Sequence, residues 1–137
     1  MKELKTPHAI LHPRDWKPAR GYANGVAADG RMIFMAGQVG WNAEQKFESQ
    51  DFVAQTRQAL QNVIAILCEA GGKPEHITRL TWYVTDKKEY LSRLVEVGEA
   101  YRSVMGKHFP AMTMVQVTAL VEDGAKVEIE ASAVVPR

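Results

Sequence analysis

Residues 50–70 carry the clearest pattern in the chain. Phe52, Thr56, Ala59, Leu60, Val63, Ile64 and Leu67 recur at three- and four-residue steps, the spacing of one helical face. Ser49 is placed to cap that helix, Asp51 suits its dipole, and Gly71-Gly72 permit a left-handed exit. A second stripe, Tyr90/Leu91, Leu94, Val97, Tyr101 and Val104, predicts a helix over residues 87–105 that Gly106 ends. Asp86 and Glu89 have the capping-box spacing for its start, and Pro110 prevents its resumption.

Elsewhere the period shortens to two. Residues 126–135 alternate Val127, Ile129, Ala131, Ala133 and Val135 with Lys126, Glu128, Glu130 and Ser132, a strand with one buried face. Residues 77–85 are rich in β-branched and aromatic side chains and read as another strand. Residues 22–28 and 32–39 read as two more, with Asp29-Gly30 as a hairpin turn between them. Residues 112–121 complete the set, joined to 126–135 by Glu122-Asp123-Gly124. The predicted order is β-β-α-β-α-β-β: an α+β fold, a mixed sheet with two helices on one face. Two helices cover only one face of such a sheet. Apolar residues on both sides of 112–121 then predict subunit contact on the helix-free face.

With 137 residues, the chain fits one domain, 1–137, with 1–19 as an extended lead-in containing Pro7, Pro13 and Pro18. A content of 46% hydrophobic and 24% charged residues is that of a globular protein. No signal-peptide pattern or membrane-length apolar run occurs, so the expected location is cytoplasmic and no membrane partner is expected. The net charge of +1 and the lack of a basic patch make nucleic acid an unlikely partner. Cys68 is the single cysteine, which excludes an intrachain disulfide, and it is expected to be a buried structural thiol. Trp16 and Trp82 are expected to pack. His8, His12, His76 and His108 are scattered without ligand spacing, so no metal is expected. Nor is there a phosphate loop or dinucleotide fingerprint, and the expected cofactor is none.

Several short stretches, in order over most of the chain, resemble the Rid (reactive intermediate deaminase, YjgF-type) family. They are Gly21-Tyr22-x-x-Gly25, Met35-Ala36-Gly37-Gln38, the run from Gln55 to Val63, residues 81–86 followed by Tyr90, Phe109-Pro110-Ala111, and the run from Val127 to Ala131. The resemblance implies a chorismate-mutase-like homotrimer with clefts at subunit boundaries. It also implies hydrolysis of reactive enamines or imines of small metabolites without metal or organic cofactor. In the active branch an arginine after Phe-Pro-Ala grips the substrate carboxylate as a bidentate fork. Met112 stands at that position here, and Ala36 replaces a serine.

By this resemblance Glu128 is the residue that activates water; as a residue alone it also reads as a solvated strand glutamate. Tyr22 and Tyr90 line the substrate pocket in this reading, or serve as interface and core aromatics. In the same reading Gly37 and Gln38 bring backbone close to the ligand, although a strand-end bulge explains Gly37 equally; Met112 lines a neutral wall, Trp41 caps the pocket, and His108 either replaces the lost cation or is an unpaired surface histidine. The leading function is a cofactor-free deaminase. The alternatives are a non-catalytic small-ligand-binding or partner-binding trimer and, third, an endoribonuclease or translation inhibitor.

Overall fold

Strand β3 (Arg31–Val39), helix α1 (Phe52–Glu69) and strand β4 (Ile77–Val84) open the main layer of the computed structural model, which describes residues 6–137. Helices α2 (Lys87–Ser92) and α3 (Leu94–Met105) follow, then strands β5 (Ala111–Gln116) and β6 (Val127–Val135). The sheet order is β3-β6-β4-β5, antiparallel except for the β4–β5 pair. A separate ribbon pairs β1 (Ala9–Leu11) with β2 (Gly25–Ala27). This is a mixed α+β fold with its main helices on one face of the sheet.

The α1 stripe is buried as its period requires: Phe52, Ala59, Leu60, Val63 and Leu67 share one core with Leu80, Trp82, Val127 and Ile129. Each such apolar side chain withdrawn from water contributes about 1.5–3 kcal/mol. Gln55, also buried, ties two loops together. Its Nε2 donates to the carbonyls of Ser49 (3.0 Å) and Gly124 (2.9 Å), and its Oε1 accepts from the Lys126 amide (2.8 Å).

The structure corrects several expectations. Asp51, not Ser49, caps α1, accepting from the Ala54 amide at 3.0 Å. Cys68 is exposed: Leu67, four residues after Val63, holds the end of the stripe, and Cys68 falls past its edge. The helix expected over residues 87–105 is broken at Arg93, whose φ of −129° leaves the helical region. The Arg93 guanidinium there bridges Asp51 and Glu96 at 2.5 Å each, so an ion pair to the start of α1 fixes the break. Trp16 is exposed in a turn closed by its amide on the Pro13 carbonyl (3.1 Å), so it does not pack as expected.

Two expected hairpins are absent because other strands hold the edges. Strand β2 pairs with β1, inside the lead-in, while β3 is taken by β6 from Arg31↔Val135 to Val39↔Glu128. Gly30 has φ of +145° and lies so close to the Val135 carbonyl that a Cβ would collide with it. Its glycine therefore serves the approach of β3 to β6. Strand β5 ends at Gln116 and runs parallel to β4, and β6 inserts between β3 and β4. The alternating apolar face of β6 is buried at Val127, Ile129, Ala131 and Ala133, which suits a central strand better than an edge. The helix-free face keeps Met32 (67% exposed), Phe34 (78%) and Val115 (42%) in contact with solvent.

Candidate functional site

A cavity of about 520 Å³ opens between the β5 edge and helices α2 and α3. Three of the residues singled out in the sequence, Tyr22, Tyr90 and Met112, line it together. Each is placed by a separate local device. Ala23 is buried, donates its amide to the Pro110 carbonyl (3.0 Å) and bridges to Ala111, which carries Tyr22 to the start of β5. Asp86 caps α2 by accepting from the Lys88 amide (3.0 Å), and Gln116 Oε1 accepts from the Lys87 amide (2.8 Å). That ties Tyr90 to the far end of β5. Met112 and Met114 sit opposite Leu80 and Trp82 in the parallel register and share their core-facing side.

The cavity walls are mostly apolar, with the aromatic rings of Tyr22, Trp82, Tyr90, Tyr101 and Phe109 among them. Tyr101 stacks on Phe109 with centroids 5.4 Å apart and lies 6.2 Å from Trp82. The Tyr101 hydroxyl donates to the His108 carbonyl at 2.5 Å, and burial pushes its acidity far down. Trp82 is 3% exposed, and its Nε1 has no acceptor among the described residues. Leaving such a donor unpaired costs about 1–3 kcal/mol.

The two charged residues of the cavity escaped the sequence reading: Arg20 and Arg102. Among the described residues neither guanidinium has an ion-pair partner. A signal for Arg102 was present. Leu94, Gly98 and Arg102 recur at four-residue steps beside Val97 and Tyr101, and all five line the cavity.

Glu128, Gly37 and Gln38 lie elsewhere. In the registers, Glu128 sits opposite Tyr83, and Tyr83 opposite Val115, whereas Leu80 aligns with both Met112 and Ala131. Glu128 is therefore on the helix-free face and Met112 on the helix-covered face. Strand β6 is also two strands from β5, roughly 10 Å across the sheet. Within one chain the two groups cannot share a small substrate.

Gly37 sits at an irregularity in the β3–β6 register between Met35 and Gln38, directly beside the Glu128 carboxylate. Gln38 turns its Nε2 back to the Ala36 carbonyl (3.0 Å). Trp41 lies near Phe47 (5.8 Å between centroids), with its carbonyl held by Asn62 Nδ2 at 2.8 Å. Neither Trp41 nor His108 is part of the cavity wall.

The expectation that His108 supplies the missing cation meets a direct obstacle. It is 4% exposed, and its Nε2 donates to the Ile77 carbonyl at 2.8 Å. Burial pushes the imidazole below its ordinary range, against the upward pull of that carbonyl, which favours the neutral form. Among the described residues no group of three or more His, Cys, Asp or Glu is gathered to hold a metal ion, and no helix is long and apolar enough to cross a membrane.

Comparison with known proteins agrees with this fold. The family model described as Endoribonuclease L-PSP matches residues 13–135. A RutC family protein of Aquifex aeolicus is 39% identical over 135 residues, covering 98% of this chain and 99% of the relative. The 2-iminobutanoate/2-iminopropanoate deaminase of Escherichia coli K12 is 37% identical over 116 residues, covering 82% and 86%. Among solved structures, the Rid-family protein YyfB of Yersinia pestis superposes with a TM-score of 0.83 at 30% identity, covering 93% and 98%. The chain belongs to the Endoribonuclease L-PSP, or Rid (YjgF-type), family.

Proposed function

We propose that this protein is a cofactor-independent hydrolase of reactive imines or enamines, working at sites formed between the subunits of a homotrimer. The observation that carries the reading is the split of the candidate residues over two faces of one sheet. A cavity at the β5 edge and a carboxylate seated by Gly37 near the opposite edge become one site when the β5 edge of one subunit meets the helix-free face of the next. The exposed Met32 and Phe34 on that face supply apolar area for the contact. The 37% identity to an imine deaminase supports the chemistry.

The reaction needs little machinery. Water adds to the carbon of the C=N bond, and its proton passes through Glu128 to nitrogen. The hydroxyl proton of the resulting carbinolamine then passes through the same carboxylate to nitrogen as the C–N bond breaks, leaving a C=O group and ammonia. Glu128 serves as the base for water, which is typically worth about 10²–10⁴-fold. Tyr22 and the backbone at Gly37 and Gln38 orient the substrate, while Tyr90 and Met112 line its apolar side.

The test is ammonia release from imines generated in place by an amino-acid oxidase. A rate above the spontaneous one in the parent, cut at least about a hundredfold by Glu128→Gln with folding retained, supports the reading. Equal rates in both proteins contradict it.

A further inference from the structure

Resting on the reading of the β5-edge cavity as a substrate site, we infer that Arg102, aided by Arg20, is its anion-binding group. The cavity then selects carboxylic acids with an aryl or branched apolar body. Met112 can hold no carboxylate, because a thioether carries no charge and almost no hydrogen-bonding capacity. The charge deleted at Met112 is available from another element: Arg20 and Arg102 both line this cavity, and neither is ion-paired among the described residues.

Gly98 makes room for Arg102. A Cβ built on Gly98 would stand 3.1 Å from Arg102 Nη1 and 3.8 Å from Cζ, so the guanidinium folds back over the bare backbone one turn earlier. The remaining walls, Trp82, Tyr90, Tyr101, Phe109, Met112 and Met114, offer ring faces and thioethers. Such walls desolvate an apolar body well and a small polar one poorly. On one subunit the space is about 520 Å³, which leaves room for more than a three-carbon acid beside the group the next subunit brings. The substrate class that fits is a 2-imino acid with an aromatic or branched side chain.

Titration calorimetry on the whole protein tests the subsite without catalysis. The probes are 3-phenylpropionate, propionate and 3-phenylpropanamide. The acid with the ring should bind at least about tenfold more tightly than either of the others. Arg102→Gln should reduce the acid to the affinity of the amide. Gly98→Ala, which keeps the charge but crowds the guanidinium, should weaken the acid and leave the amide unchanged. Propionate binding as tightly as 3-phenylpropionate overturns the proposal, as does an acid-to-amide ratio unmoved by Arg102→Gln.

Ammonia release from imines made from phenylalanine and from alanine reads the catalytic proposal separately. Selective binding without ammonia release keeps the subsite and removes the deaminase. Equal release from both imines, with no preference for the ring in binding, keeps the deaminase and removes the subsite.

Discussion

The Glu128 carboxylate rests against the bare Cα of Gly37: a Cβ placed there would stand 2.5 Å from Glu128 Oε2 and 2.9 Å from Cδ. The glycine thus acts as the seat of the carboxylate. Because the colliding atoms are the far end of a flexible side chain, Gly37→Ala should fold and move the carboxylate aside. Imine hydrolysis should fall by about 10²-fold or more, approaching the loss from Glu128→Gln. Thermal melts beside the rate assay separate displacement from unfolding. Full activity in a well-folded Gly37→Ala protein would remove Glu128 from the chemistry.

The helix-free face yields a second prediction. Phe34 is 78% exposed beside Met32 at 67%, a large apolar area for a free monomer. Light scattering should give a mass near three times the 15.3 kDa of one chain. Phe34→Glu should shift that mass toward the single chain. A parent protein that stays monomeric at micromolar concentration would leave the two halves of the site apart.

Stability should depend on pH through the histidines near the start of β4. Burial holds both His108 and His76 below the ordinary 6.5, and His8 and Lys73 add positive charge nearby while Glu75 opposes them. With the folded values depressed, the unfolded chain binds more protons below about 6.5. The stability is therefore fully present above that value and is lost as pH falls through and below it. Tm should drop between pH 7.5 and pH 5.5, and His108→Gln should flatten that drop. A Tm that rises on acidification over this window would contradict the assignment.

Where a local period dictated structure, the sequence was legible. The stripe from Phe52 to Leu67 and the alternation from Val127 to Ala133 are each buried on the face their spacing names. Choices of strand partner were not legible, because they depend on competition across the chain. Asp29-Gly30 is a sound turn signal, yet β3 gains more by pairing with the buried strand β6 than with its sequence neighbour. The break at Arg93 was hidden for a similar reason: Leu91 and Leu94 continue the stripe, and the ion pairs that fix the break involve Asp51, far off in sequence.

The candidate site divides the same way. Tyr22, Tyr90 and Met112, far apart in sequence, line one cavity. That Glu128 faces the other way follows from the parity of β4 against β5 and β6, which no stretch of sequence reveals. Arg102 was missed because a lone arginine at the end of an amphipathic helix looks like an ordinary solvated charge. Its meaning comes from Gly98 one turn earlier and the cavity both residues face.

Activity in mixed trimers of two inactive variants tests the central claim most directly. Glu128→Gln disables the carboxylate side, and Met112→Glu places an anion in the cavity where an acid must bind. Each homotrimer should be at least about a hundredfold slower than the parent in ammonia release. If every site takes Glu128 from one subunit and its cavity from the next, random assembly of equal amounts restores about a quarter of the sites. Co-expressed protein should then regain about a quarter of the parent rate. A mixture no faster than the average of the two variants would contradict a site shared between subunits.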